Sequence, residues 1–159
     1  MINFSSLKRF NFDRALASEV FFVEDHDHLA LLLAALGHDA GHRGRNNGFE
    51  VGRLSELAIR YNDLSVLESH HASVTCTLIH TTGLLHGVDK EVAKKLKSTI
   101  IYSILQTDMA KHPSHIEWLK QQQPFGERAP DAATSKELVS CILHAADIGH
   151  PVASSEQYF

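Results

Sequence analysis

The chain has 159 residues, 43% of them hydrophobic and 21% charged, with a formal net charge of −4 at pH 7. That length suits one domain with a buried core, and the mild acidity leaves no electrostatic footprint for nucleic acid or an anionic membrane. No apolar run is long enough to span a bilayer, and residues 1–10 are polar and basic where a secretory leader would be apolar.

Cys76 and Cys141 are far apart and lack a Cys-x-x-Cys context, which predicts two small buried hydrophobes in a reducing cytoplasm. Histidine is the outlier of the composition, at twelve residues. Several histidines stand beside acids, as in His38-Asp39, Glu68-Ser-His70-His71 and His144-Ala-Ala-Asp147. That pairing makes metal chemistry worth pursuing.

In chain order, Phe10, Phe12, Leu16 and the run 20–23 predict a helix over residues 11–22. Asp25 or Asp27 can cap the next helix, over residues 29–37, with His26 and His28 exposed in its first turn. This apolar run leads straight into His38-Asp39-Ala40-Gly41-His42-Arg43-Gly44-Arg45-Asn46-Asn47-Gly48-Phe49, so an imidazole, a carboxylate and a second imidazole fall where a buried helix ends. Such groups are costly to bury without partners, and a divalent cation is one. On a helix, His38 and His42 would share a face. The plainer reading is a polar helix end with caps and a glycine turn.

Ser55 opens a short helix over residues 56–59, which Asn62-Asp63 ends. Residues 64–82 predict a helix with Val66, Leu67, Val74 and Leu78 on its core side, broken by Gly83 and Gly87. Asp89 caps the longest helix, whose core face is Val92, Leu96, Ile100, Ile101, Ile104 and Leu105 and which His112-Pro113 stops. Ser114 opens another helix, residues 121–131 form a loop, residues 135–148 the last clear helix, and residues 152–159 the start of one more. There is no strand pattern, so the expected fold is all-α, with ligands on facing helices.

Asp108 follows Ile104, and Asp147 follows Leu143, by one helical turn, so both acids continue apolar faces. Each needs a cation or several hydrogen-bond donors; a structural ion pair is the alternative to a metal. Glu68 and His71 share a face, and His70 points elsewhere as a surface or packing residue. Thr107 can hold a water or bond back to its own helix.

Taken together, His38-Asp39-x-x-His42-x-Gly44-x-x-Asn47-x-Phe49 resembles the signature of the class I cyclic nucleotide phosphodiesterases, departing from it at Ala40-Gly41, where the family has a bulky apolar residue and an acid. Three further blocks agree in order: Ser55 through Tyr61-Asn-Asp to Glu68-Ser-His70-His71, then Ile104-Leu-Gln-Thr107-Asp108-Met109-Ala-Lys-His112, then Leu143-His144-Ala-Ala-Asp147-Ile-Gly-His150-Pro151. The resemblance is strongest over residues 27–159 and implies one partial catalytic domain, a compact helical bundle of the HD/PDEase type, incomplete at both ends.

The resemblance also implies two divalent metal ions, zinc in the tighter site and magnesium or manganese in the other. His38, Asp39 and Asp147 would ligate the tight metal, with Asp39 bridging to the second. His42, Glu68, His71 and Thr107 would orient waters at the metals. Tyr61, Met109, Asp147 and His150 would line the substrate pocket, His150 standing where the family has an asparagine. The implied activity is hydrolysis of cyclic AMP and/or cyclic GMP to the 5′-monophosphate, in cyclic nucleotide signalling.

The family's His-Asn-x-x-His segment, source of its general acid and a fourth zinc ligand, has no counterpart, since residues 1–25 contain no histidine. Its purine-reading glutamine and stacking phenylalanine have no match either, so both nucleotides stand as substrates. Two readings follow: a piece of an active phosphodiesterase with little activity of its own, or a catalytically inactive protein that binds metal or a protein partner through exposed apolar surface. A different metal-dependent phosphohydrolase sharing only the His-Asp pair is a third, which the downstream blocks oppose.

Overall fold

The computed structural model describes residues 25–121 and 132–149. The helices expected over residues 11–22 and 152–159, most of the 121–131 loop and His150 lie outside the described residues. Every regular element among those described is helical, as the periodicity requires: α1 (Asp25–Gly37), α2 (Asn47–Gly52), α3 (Glu56–Arg60), α4 (Val66–Thr81), α5 (Lys90–Leu105), α6 (His112–Gln121) and α7 (Ala132–Gly149), with a 3-10 turn at Met109–Lys111.

Helix α5 is the spine, packed along α1, α4 and α7. Its Leu96, Ile100 and Ile104 are fully buried and meet Ala30 and Ala34 of α1, Ala72 of α4 and Leu143 of α7 in one core. A smaller core gathers Leu57, Ala58 and Val66, with Val51 and Tyr61 against it. Two expected caps are present. The Asp89 carboxylate accepts from the amides of Glu91 and Val92, and the Ser55 hydroxyl accepts from Ala58 N. Asn62 and Asp63 end α3 in the left-handed conformation, with φ of 55° and 62°, a region these two residue types tolerate well.

The core face of α4 differs from expectation, and that of α1 is made of small residues. On α1 the buried positions are Asp27, Ala30, Ala34 and Gly37, while Leu29, Leu32 and Leu36 are 40%, 49% and 77% exposed. Small residues let α1 approach its neighbours closely; Leu31 and Leu33 pack against the core, and Leu29, Leu32 and Leu36 form an outward apolar stripe. His26 is half-buried beside Asp27, whereas His28 is exposed as expected. On α4 the core side is Val66, Leu67, His71, Ala72 and Thr75; Leu78 is exposed.

The His112-Pro113 pair starts a helix where a stop was expected. Helix α5 ends earlier, at Leu105, and α6 begins at His112. Proline disfavours helix in the residue before it, but it is well suited to a first turn, where its missing amide hydrogen has no partner to lose. Helix α7, at 18 residues, is therefore longer than α5 at 16, and it begins at Ala132, ahead of the expected Ser135. Helix α2 was not anticipated. Asn46 caps it, accepting from Phe49 N at 2.9 Å, within a stretch whose glycines read as a turn.

Candidate metal centre

Helix α1 stops where it touches α4. A Cβ at Gly37 would lie 2.2 Å from Thr75 Oγ1 and 2.5 Å from its Cγ2, so only glycine fits. The Thr75 hydroxyl donates to Gly37 O at 3.0 Å. This buried clasp sets His38 and Asp39 one helical turn from His71, on the same helix as Thr75. Residues 38–42 then form turns, with Gly41 at φ 77° and the His70 ring packed over it. His38 and His42 are thus not on a shared helical face, because the helix has already ended. Asp39 is not buried either; its side chain is 65% exposed.

His38 is the convergence point. Its Nδ1 donates to Ala35 O at 2.9 Å, which leaves Nε2 toward two carboxylates, Asp39 Oδ2 at 3.6 Å and Asp147 Oδ1 at 3.5 Å. The Asp147 carboxylate is the main reason the imidazole is pushed up to about 9, with burial opposing and Ala35 O and Asp39 assisting. A ring nitrogen fixed by a carbonyl while the other faces carboxylates is the arrangement of a metal-ligating histidine, where a cation takes the proton's place. Asp147 continues the α7 face of Val139 and Leu143 but is itself only half-buried.

His71 is 2% exposed, and both ring nitrogens are buried without a hydrogen-bond partner among the described residues. Burial is the largest cause of its low pKa, about 4, and outweighs the Asp39 carboxylate. The 3.9 Å between its Nδ1 and Asp39 Oδ1 is therefore a contact of a neutral ring with a carboxylate, not an ion pair. The His42 ring lies 5.5 Å from that of His71, and its Nδ1 accepts from Gly44 N at 3.0 Å. Asp39, His42 and His71 bring ligand atoms within 4.8 Å of one another. A buried neutral imidazole whose nitrogens have no hydrogen-bond partner among the described residues, beside the exposed Asp39 carboxylate, fits a bound cation, and mixed carboxylate and imidazole donors suit zinc, magnesium or manganese.

Behind this cluster Asn47 ties α2 to α4. Its Oδ1 accepts from Leu67 N and its Nδ2 donates to Glu68 Oε2, both at 2.9 Å. Ser65, the residue before α4, is left-handed at φ 41° and makes no side-chain cap; Asn47 supplies that cap from outside. The Ser65 hydroxyl instead donates to Asp108 Oδ2 at 2.8 Å, while Asp108 Oδ1 accepts from Ala110 N. Asp108 lies beyond the end of α5, so it does not extend the buried face, and hydrogen bonds satisfy it. Burial raises the Glu68 pKa above the usual carboxylate value, against the Asn47 bond. The Thr107 hydroxyl bonds back, donating to Ile104 O at 2.8 Å. Sequence reasoning assigned Asn47 no role; its place inside the signature was the available signal.

Of the residues expected to line a substrate pocket, Tyr61 packs in the smaller core and Met109 is 60% exposed at the 3-10 turn. Neither is joined to the His38 cluster by a hydrogen bond or ion pair. His144 interacts electrostatically with Asp147, as expected, while its ring stacks on His115 at 4.7 Å and its Nε2 meets His112 Nδ1 at 3.0 Å. Cys141, expected as a simple hydrophobe, is buried but hydrogen-bonded to His115. His115, Glu137 and Cys141 form the second group of close potential ligands among the described residues.

Comparison with known proteins agrees with this geometry. The family described as 3'5'-cyclic nucleotide phosphodiesterase matches residues 4–158. A dual specificity calcium/calmodulin-dependent 3',5'-cyclic nucleotide phosphodiesterase 1 of Drosophila melanogaster is 36% identical over 132 residues, covering 82% of this chain and 16% of that protein. The 3',5'-cyclic-nucleotide phosphodiesterase regA of Dictyostelium discoideum is 40% identical over 91 residues, 56% of this chain and 12% of that protein. The crystal structure of the phosphodiesterase domain of the RhoPDE fusion protein from Salpingoeca rosetta superposes with a TM-score of 0.80 at 34% identity, over 88% of this chain and 45% of that one. The chain thus spans less than a quarter of these curated relatives and under half of the solved domain. With the all-helical fold and the family match in agreement, the chain belongs to the class I 3',5'-cyclic nucleotide phosphodiesterase catalytic domains.

Proposed function

We propose that this chain carries the metal-binding side of a site that hydrolyses cyclic AMP and/or cyclic GMP to the 5′-monophosphate, in cyclic nucleotide signalling. The observation that carries the reading is the convergence of His38 Nε2 with the Asp39 and Asp147 carboxylates, beside a neutral buried His71. Bound zinc, with magnesium or manganese as the second ion, would acidify a water toward neutral pH and neutralise phosphate oxygens.

The chain's own residues do the rest. His38, Asp39 and Asp147 would hold the cations, Asp39 being the most exposed of the three. His71 stays neutral and can accept or donate at a ring nitrogen that has no partner among the described residues. His42 and Glu68 would orient waters, Asn47 holding the Glu68 carboxylate in place, and Thr107, whose hydroxyl donates to Ile104 O, would act there only as an acceptor. Tyr61, Met109, Asp147 and His150 belong to the nucleotide side. The 3′ leaving oxygen needs a proton from a general acid, and no residue of this chain takes that role in our reading. The unpaired cysteines fit a reducing cytoplasm, and no described helix is long and apolar enough to cross a membrane.

The outward stripe of Leu29, Leu32 and Leu36 supports a second reading: a catalytically inactive protein that binds metal and docks a partner, or the remainder of a larger domain, through α1. The deciding experiment is capture of the protein from its own cells with an antibody to residues 90–147, followed by assay on both cyclic nucleotides. Cyclic nucleotide turnover that a chelator abolishes supports the enzyme. A protein of 17.7 kDa with no turnover moves the weight to the second reading, and turnover of linear phosphodiesters alone overturns the substrate class.

A further inference from the structure

A second cluster of ligand-type side chains lies between α5, α6 and α7. His115 Nδ1 is 3.1 Å from Cys141 Sγ and 3.7 Å from Glu137 Oε1, and the three ligand atoms all lie within 4.8 Å of one another. His115 and Cys141 are 2% and 6% exposed, and Glu137 is half-buried. This group shares no residue with the His38 cluster. On α7, Cys141 precedes Asp147 by roughly 9 Å along the axis, at 1.5 Å per residue.

Each donor is set for coordination by a partner behind it. His115 Nε2 donates to Gln106 O at 3.1 Å, so the lone pair sits on Nδ1, facing Cys141 and Glu137. A ligating histidine takes this tautomer when a backbone carbonyl holds its other nitrogen. The Tyr102 hydroxyl donates to Glu137 Oε2 and leaves Oε1 toward His115. Ligands at about 2.0–2.3 Å in a tetrahedron around zinc lie roughly 3.3–3.8 Å from each other. The His115–Glu137 edge, 3.7 Å, falls in that range, and the His115–Cys141 edge, 3.1 Å, is a hydrogen-bond distance that has to open by a few tenths of an ångström for an ion. Beside the cluster His144 stacks on His115, and its Nδ1 is buried without a partner among the described residues.

We propose that His115, Glu137 and Cys141 form a separate binding site for a thiophilic divalent cation of the zinc type, which fastens α6 to α7. The donor set of one thiolate, one imidazole and one carboxylate favours zinc over magnesium or calcium. Without metal, the Cys141 S–H donates to His115 Nδ1, and burial together with the Glu137 charge pushes the thiol up to about 12. Metal binding replaces that hydrogen bond. The S–H bond breaks, the sulfur lone pair goes to the cation, and one proton leaves to solvent for each ion bound. No oxidation is involved.

Cobalt(II) titration of the 159-residue chain tests the site, because cobalt substitutes for zinc and a thiolate ligand gives a near-ultraviolet charge-transfer band. The His38 cluster has no sulfur and cannot produce that band. We expect it in the native sequence, absent from Cys141→Ser, and retained in Asp39→Ala and Cys76→Ser. Glu137→Gln should weaken cobalt binding by at least the about tenfold that loss of an outer partner costs a metal site. Far-ultraviolet circular dichroism confirms that each variant is folded; where Cys141→Ser is not, Glu137→Gln alone carries the test. Absence of the band from the folded native chain at saturating cobalt would overturn the site and leave a hydrogen-bonded trio. So would a band that disappears with Cys76→Ser or Asp39→Ala.

Discussion

The two ligand clusters are built from similar side chains and differ in how they meet solvent. Around His38, the carboxylates of Asp39 and Asp147 are open while the deep member, His71, has no hydrogen bond at either nitrogen among the described residues. Around His115, two of the three side chains are buried and Glu137 is half-buried, and all three are already bonded, to Gln106 O, to Tyr102 or to one another. An open cluster with an unsatisfied base suits exchange of water and substrate. A closed, satisfied one suits holding two helices together. The same residue types thus serve chemistry or structure according to burial and to which polar atoms are left unused.

Four substitutions should separate the clusters, the largest effect coming from the open one. Asp39→Ala removes a carboxylate from His38 Nε2 and from His71 Nδ1. Zinc affinity there, measured by calorimetry in a Cys141→Ser background, should fall by more than the roughly 10–100-fold cost of losing an outer partner. Asp147→Ala should act likewise, and unchanged affinity in either variant would contradict the ligand assignment. Gly37→Ala places a Cβ within 2.2 Å of Thr75 Oγ1. We expect about 1–3 kcal/mol of destabilisation from overpacking, seen in denaturant melts and partly recovered by Thr75→Ala. Because His38 and Asp39 follow Gly37 directly, the open cluster should lose zinc affinity and the closed cluster should keep its cobalt spectrum. Asn47→Ala deletes two hydrogen bonds, one of them to a carboxylate. A loss of about 1–3 kcal/mol is expected, with Leu67 N left uncapped.

Much of this was legible in the sequence, for identifiable reasons. The α5 core face follows from a sustained 3.6-residue period, and Ser55 and Asp89 are caps because a hydroxyl or carboxylate one residue before a helix meets free amides. His38, Asp39 and Asp147 were found through their place in ordered blocks, and the structure brings them together. The outward leucines of α1 were not legible, because residues 29–36 are apolar on every side of the helix and the period does not mark which of the leucines face the core. Pro113 was misread because the same ring that ends one helix begins the next. The closed cluster was hidden because His115, Glu137 and Cys141 have no motif spacing across two helices, and only the packing of α6 on α7 joins them.

The smallest expected effect is a control on the comparison. Ser55 caps α3, with its hydroxyl accepting from Ala58 N at 3.1 Å, and Leu57 and Ala58 belong to the smaller core, away from the α5 spine. Ser55→Ala should cost about 1 kcal/mol, the usual loss of an N-cap, visible as a lower denaturant midpoint at unchanged slope. Neither the cobalt band of the closed cluster nor the zinc affinity of the open one should move. Loss of zinc affinity in this variant would mean that the open cluster depends on the smaller core as a whole, through Val66 and the start of α4, and that its geometry is not set at the Gly37–Thr75 contact alone.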